Sequence, residues 1–526
     1  MFTQAINHGR FKKSISDPDD FTLSFELVPG RGGRSTVHAK ALDQARNMAA
    51  DGRICAVSIT DNAGGHATLA PDVIGQEILA MGLDVISHFS CKDKNRNKME
   101  SLLYGWDRIG LHNLLVIAGD YPQKGFCGHP KPVFDLDTVH LIDLVSHLNR
   151  GETAPGVQPT SFHIGVAISP FKYSEAEQMM QYYKLKRKIA AGAHFGITQL
   201  GFDARKYHEA LLYVEEHDLG IPLLGNLFIP NIHVARLMHK RVIPGCLIPD
   251  HLFARMEQES RSADKGKKAR LERAASQLAV LRGMGYNGVH IGGPGLKMDD
   301  IDFILTESTT RKDHWPDLLP EFQPDTAQGF YFFQKDQDTG LNRQKKSPIQ
   351  ESTSQPLLYH FSNLIHNLAF EPQGALYNSA QKCCLALDKT MLRRPLFWLE
   401  HLSKFILFAC RNCGDCTLAE YGYICPQSGC AKYLLNGPCG GSVDGWCEVY
   451  PNQKLCHYVF TYQRLKSQGN ADDFGHGYIP PRDWSLKGAS SWVHFYAGLD
   501  HTNRQCGTAE SQSPPKKASS DSKKKS

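Results

Sequence analysis

Eight cysteines stand in one short window: Cys410, Cys413, Cys416, Cys425, Cys430, Cys439, Cys447 and Cys456. The chain has fifteen in all, six of them before residue 400, with Cys506 near the end. In a reducing compartment, thiols at this density point to metal rather than to disulfides. The opening C-x2-C-x2-C lets one loop wrap a cubane iron–sulfur cluster. Eight thiolates suffice for two [4Fe–4S] clusters, or for one cluster plus other thiols. C-x2-C is equally a zinc spacing, so closed tetrahedral zinc is the competing reading. His457 adds a nitrogen beside the last cysteine, where a structural role is the simpler expectation.

A second group of polar residues sits at the ends of short apolar runs. Glu26 lies inside SFELV, where an inward-facing carboxylate costs several kcal/mol unless paired. Thr60 is followed by Asp61 and Asn62, His88 lies near the end of a run, Gly119-Asp120 follow another, and Gln199 lies in a further one. Taken singly, each has an ordinary explanation, an aspartate as a cap or a histidine as a hydrogen-bonded strut. Their convergence at equivalent ends of successive runs favours a site. Gly64-Gly65 and Gly292-Gly293-Pro294-Gly295 add glycine-rich loops of the kind that bind phosphate through backbone N–H groups.

The elements that must position these groups alternate along the first 300 residues. Short apolar segments bounded by turn signals read as strands at Thr22–Val28, Cys55–Thr60, Asp84–Ser90 and Asn113–Ala118. Four more read at Phe162–Ile168, Ile197–Phe202, Ile221–Leu227 and Gly288–Gly292. Between them lie helical patterns such as Glu175–Ala191 and Leu271–Gly285, the latter with a glycine stop. Eight such units predict an α/β fold, a closed (β/α)8 TIM barrel over residues 1–306, whose chemistry gathers at the C-terminal strand ends. No G-x-G-x-x-G follows an early strand, which disfavours a doubly wound open sheet. Residues 307–356 are polar and aperiodic and read as a linker or lid. A smaller cysteine-rich metal-binding domain follows at 357–470, then an extension over 471–526.

The net charge of +5 sits mostly in residues 514–526, whose five Lys and one Asp contribute +4, so a disordered basic tail is expected from about 507. The near-neutral body offers no footprint for nucleic acid. No apolar run reaches the length of a membrane span, and the N-terminus lacks the apolar segment of a secretory signal, so a cytoplasmic location is expected.

Several segments together resemble the methylenetetrahydrofolate reductase family in order and spacing. They are Ser24-Phe25-Glu26, Val57-Ser58-Ile59-Thr60 with Ala63-Gly64-Gly65, Ser87-His88-Phe89-Ser90-Cys91, and Asn95-Arg96-Asn97 with Glu100 to Gly105. Gly119-Asp120-Tyr121-Pro122, Leu185-Lys186-Arg187-Lys188 and Ile197-Thr198-Gln199 continue the likeness, which spans residues 20–300. Asn436-Gly437-Pro438-Cys439-Gly440-Gly441 with Cys447-Glu448-Val449 resembles the C-terminal domain of some bacterial members.

The resemblance implies a barrel that binds FAD at its C-terminal face and interconverts 5,10-methylene- and 5-methyltetrahydrofolate. It implies Glu26 as general acid, Asp120 between flavin and folate, and Gln199 on the pterin. Thr60, His88, Gly119, Asp120, Arg187 and Lys188 fall on flavin-contacting positions. It also favours iron–sulfur over zinc in the cysteine module, and hence either NAD(P)H or a ferredoxin-like protein as electron donor, with a homo-oligomer compatible. Where many members have Arg, this chain has Ala118, and Asp61-Asn62, Gln181 and Lys184 also depart from the family pattern. Two other functions compete. One is a flavin-free tetrahydrofolate-dependent methyltransferase or demethylase. The other is an electron-transfer or assembly protein built on the cysteine module.

Overall fold

A computed structural model describes residues 9–324, 329–348 and 354–504. Cys506 and the basic tail lie outside the described residues. Eight parallel strands close into a barrel: β1 (Thr22–Leu27), β2 (Ala56–Ile59), β3 (Asp84–Ser90), β4 (Asn113–Ile117), β5 (His163–Ile168), β6 (Phe195–Thr198), β7 (Leu223–Phe228) and β8 (Gly288–Gly292). β1 pairs with β2 on one side and β8 on the other, with Glu26 beside Ser58 and Ser24 beside His290. The strands carry almost continuous burial because helices cover the outside and side chains fill the inside. The bottom of the barrel is stoppered by the helix Arg10–Ser16. Phe11 meets Phe195 edge-on at 5.1 Å, and the Phe11 N–H donates to Asp84 Oδ2 at 2.8 Å.

β6 begins two residues earlier and ends four earlier than its apolar run predicts. Asp203 explains the early end: its carboxylate accepts from Arg205 N at 2.9 Å and Lys206 N at 3.2 Å, capping the helix Ala204–Glu216. The chain must leave the sheet before that cap, so Gln199–Phe202 form the exit loop.

The polar segment 307–356 has more structure than a bare linker. It holds the end of the helix Met298–Arg311, a 3-10 stretch over Lys312–Phe322, and an antiparallel pair, β9 (Phe333–Lys335) with β10 (Asn342–Lys346). Aromatics in its middle give it a packing surface: Phe332 lies edge-on to Tyr182 and Tyr213 on the outer helices. The Lys206 ammonium donates to the Phe330 carbonyl at 2.8 Å. The described part of the segment packs along the barrel's flank.

The C-terminal part starts with the helices Leu357–Ala369, Tyr377–Asp388 and Arg393–Phe408, then becomes loops that carry the cysteines. Its helix His457–Ser467 packs on the barrel helix Glu175–Ala190. Met180, Tyr182 and Tyr183 share one apolar cluster with Tyr421, Leu434, Leu435 and Tyr458, so the two parts have a common core. Among the described residues no helix is long and apolar enough to cross a membrane.

Candidate active site

A cavity of about 340 Å3 opens at the C-terminal ends of the strands. Glu26, Thr60, His88, Gly119, Asp120, Lys188 and Gln199 all line it, so the structure brings together every predicted barrel site residue except Arg187. Glu26 faces the cavity, and loss of water around its carboxyl pushes the pKa up to about 7. The floor is His290, whose Nδ1 lies 2.8 Å from Ser24 Oγ and whose Nε2 lies 3.2 Å from Ser58 Oγ. Burial, helped by nearby His88, lowers His290 to about 3, so the ring is neutral. Burial likewise takes His88 down to about 4, outweighing Asp61.

The rim depends on two tight turns. Asp120 Oδ2 accepts from the Gly64 N–H at 2.7 Å, tying the β4 exit to the β2 exit. Gly119 has φ +82°, and a Cβ there would meet Ser90 Cβ at 2.9 Å; Gly65 has φ +75°, and its Cβ would strike the Tyr121 carbonyl at 2.3 Å. Both positions therefore require glycine.

The helix Glu175–Ala190 supplies the next wall. Gln181, Lys184 and Lys188 recur at helical spacing on one face and line the cavity. Lys188 Nζ donates to the Ala167 carbonyl at 2.6 Å, and burial pulls its pKa well below the usual lysine value. Arg187 is turned away by its place on the helix. Its guanidinium stacks over Phe474 at 3.8 Å and donates to Asn436 Oδ1 at 3.4 Å, which makes it a contact to the cysteine module.

The module completes the wall with Lys432, Cys439, Gly440, Gly441 and Glu448. Lys172 Nζ donates to the Gly440 carbonyl at 2.7 Å and also to that of Ser442. Lys184 Nζ holds the carbonyls of Gly437 at 3.1 Å and Pro438 at 2.8 Å. The run Asn436 to Gly441 is small because it must be: a Cβ on Gly437 would lie 2.7 Å from Lys184 Cβ, and one on Gly441 would overlap the Glu448 carboxylate. Lys432 pairs with Glu448 and donates to the Gly119 carbonyl at 2.7 Å. Burial works against the Glu448 carboxylate, but the Lys432 ammonium overrides it and holds its pKa below the ordinary range. Lys172, Lys432, Glu448, His290 and Asn226 escape the sequence reading. Only the glycine-rich motif around Cys439 hinted that something approaches closely there.

Five buried polar atoms on the cavity wall have no protein partner: Thr60 Oγ1, His88 Nε2, Thr138 Oγ1, Gln181 Nε2 and Asn226 Oδ1. Buried polar groups are rarely left so, and a cluster of them around one space is the imprint of a polar ligand.

The eight cysteines fall into two quartets. Cys410, Cys413, Cys416 and Cys425 surround a cavity of about 30 Å3, with Arg482 Nη1 3.2 Å from Cys413 Sγ. Cys430, Cys439, Cys447 and Cys456 form the second group: burial first, and then the neighbouring thiols, push the thiols of Cys430, Cys439 and Cys456 up. Among the described residues no three of these sulfurs lie mutually within 4.8 Å. A zinc tetrahedron with bonds of about 2.3 Å would bring them to about 3.8 Å.

Residues 10–298 match the family model described as methylenetetrahydrofolate reductase, and residues 391–485 match one described as methylene-tetrahydrofolate reductase C terminal. The 5,10-methylenetetrahydrofolate reductase of Pectobacterium carotovorum subsp. carotovorum is 29% identical over 127 residues, 24% of this chain and 37% of that protein. Methylenetetrahydrofolate reductase 2 of Saccharomyces cerevisiae is 23% identical over 206 residues, 38% of this chain and 33% of that one. The chain thus spans about a third of the length of these relatives. A solved structure of an uncharacterized Clostridium thermocellum protein, described as binding two copies of 5-methyl-5,6,7,8-tetrahydrofolic acid, aligns with TM-score 0.42 and 13% identity over 58% of this chain and 99% of its own. That likeness is too loose to bear on function.

Proposed function

The chain belongs to the methylenetetrahydrofolate reductase family, and from that premise we propose that it interconverts 5,10-methylene- and 5-methyltetrahydrofolate with the help of a flavin. The observation that carries the reading is Glu26, an unpaired carboxyl with its pKa near 7 on the wall of a cavity ringed by unpartnered polar atoms. A carboxyl that keeps its proton near neutral pH can give it to a ring nitrogen of the folate. Protonation opens the five-membered ring to an iminium at N5, a far better hydride acceptor. Asp120, at the rim, supplies negative charge to that cation. Gln199, whose Oε1 accepts from the Leu200 N–H at 3.0 Å, keeps its amide N–H2 free to orient the pterin.

The unpartnered Thr60, His88 and Gln181 atoms fit a flavin, as does the lysine-lined wall. FAD, when bound, supplies the hydride that reaches the exocyclic carbon. Neutral His88 offers its Nε2 as donor or acceptor, and Lys188 and Thr60 flank the same space. Arg187 is left out of this assignment because it contacts the module.

The C-x2-C-x2-C start of the first quartet, a spacing that lets one loop wrap a cubane, supports iron–sulfur clusters over zinc. Cys439 belongs to one quartet and also lines the cavity, so Cys430, Cys439, Cys447 and Cys456 would hold a cluster against that space and would supply one-electron chemistry there. That arrangement favours a one-electron protein donor alongside NAD(P)H.

Anaerobic purification followed by an absorbance spectrum and assays of released flavin, iron and zinc tests the proposal. Flavin bands, several irons per chain and oxidation of 5-methyltetrahydrofolate by an artificial acceptor support it. Absence of flavin after incubation with FAD sinks the hydride transfer. Flavin with zinc and no iron keeps the reductase and removes the clusters.

A further inference from the structure

The helix Arg393–Phe408 is folded inside out. Its two buried residues are Glu400 and Lys404, which pair at 2.8 Å, and Lys404 Nζ also reaches Ser491 Oγ at 2.6 Å. Its apolar stripe faces solvent instead. Trp398, Leu399, Leu402, Phe405 and Ile406 follow the i, i+1, i+4, i+7, i+8 spacing of a packed face, yet Trp398 is 64% exposed and Ile406 70%. The neighbouring helix Leu357–Ala369 repeats the anomaly with Leu357, Phe361, Leu364 and Ile365 at the same spacing, Leu357 being 87% exposed. Between the two helices runs a groove of about 330 Å3, lined by Phe361, Ile365, Leu407 and Trp492, with Cys416 of the first quartet at its floor.

We infer that this face is the interface with a second copy of the chain, which covers the first cysteine quartet in each protomer. Ten large apolar side chains on these two helices are exposed, three of them aromatic. At roughly 150–250 Å2 for each aromatic fully exposed, and somewhat less for each aliphatic one, they present on the order of 1,000 Å2 of apolar surface. A monomer's largest patch is about 300–600 Å2, and a standard interface takes about 800 Å2 from each partner. An apolar area of this size belongs to the permanent homodimer class. The chemistry agrees: no charged side chain is exposed between Pro395 and Ala409, while exposed Arg393, Arg394 and Arg411 flank that stretch, the apolar core and polar rim of a stable interface. The shape agrees too, because a helical ridge lies beside a groove, and a two-fold axis can seat each ridge in the other copy's groove. The inference rests on exposure and spacing alone and stands apart from the reaction proposed above.

Sedimentation velocity on the full-length protein, purified without oxygen, tests it. The expected mass is twice 58.7 kDa, holding on dilution to about 1 μM. Leu399→Glu/Ile406→Glu should weaken association at least about 100-fold, while Val242→Glu, at an exposed apolar position on the barrel side, should leave it unchanged. Hydrogen exchange on the unsubstituted protein gives a second reading. Amides of Leu357–Ala369 and Arg393–Phe408 should gain protection with concentration, whether or not the double variant folds. A unsubstituted chain that sediments as a 58.7 kDa monomer or as a polydisperse aggregate overturns the inference. So does a dimer that survives the double substitution, or one whose protection maps elsewhere.

Discussion

The Lys432 ammonium donates to the Gly119 carbonyl at 2.7 Å, across more than three hundred residues of chain. Gly119 directly precedes Asp120, so a side chain of the cysteine module holds the turn that presents the barrel's rim carboxylate. Glu448 fixes Lys432 in that pose.

Removing this strut should loosen folate binding more than chemistry. Lys432→Met is expected to raise the folate KM by about tenfold, the scale of one lost charge-assisted hydrogen bond. Lys432→Arg should restore most of it. The Met variant also leaves Glu448 buried without its cation, which costs about 3–5 kcal/mol. The double variant Lys432→Met/Glu448→Gln should regain stability in a denaturant melt but not KM. A KM that recovers with stability would show that Lys432 does not position Asp120.

Glu26→Gln should lower the rate of folate turnover by about 10²–10⁴-fold while flavin content stays unchanged. With the carboxyl near 7, kcat/KM for reduction of the methylene folate should fall as pH rises through about 7, because the acid form is the active one. The stability sign is the same. The folded pKa lies above the unfolded value of 4.5, so the stabilisation is complete below about 4.5 and is lost as pH rises to about 7. At pH 8 the Gln variant should therefore be the more stable by about 3 kcal/mol, read from urea midpoints.

Gly437→Ala should open the junction between module and barrel. A Cβ there meets Lys184 Cβ at 2.7 Å with φ at +120°. The substitution is expected to cost about 1–3 kcal/mol. Limited proteolysis should then cut the module faster than in the unsubstituted protein, and equal cutting rates would contradict the tight fit.

The quartets should behave as two independent metal sites. Cys413→Ser and Cys456→Ser should each remove about four irons per chain. Only Cys456→Ser should also weaken flavin retention, since its quartet partner Cys439 lines the cavity. Loss of all iron from either variant alone would contradict the two-site division.

All eight strands were legible because each is a short apolar run ended by a turn signal. Glu26 stood out for the opposite reason, as a carboxyl inside an apolar run where burial makes polarity expensive, and His88 and Asp120 stood out because they fall at equivalent ends of successive runs. Strand six was misplaced because its apolar run continues through Gly201-Phe202, and only the Asp203 cap says where the strand must end. Arg187 entered as a position that the family resemblance places on the flavin, yet one residue on a helix is a turn of about 100°, and that turn takes its side chain away from Lys188 and the cavity. Lys172, Lys432 and Glu448 were invisible for a simpler reason. Their partners are backbone carbonyls and each other, brought together by docking between distant segments, and no local pattern records that.

The shared aromatic core has a consequence for how the chain is made. The barrel helix that carries Tyr182 and Tyr183 leaves the ribosome long before Tyr421, Tyr458 and Phe474, which cover it. At translation rates of about 5–20 residues per second, that face waits roughly 15–60 s for its cover. A nascent barrel is therefore a sticky intermediate, and the module that follows is its own delayed chaperone.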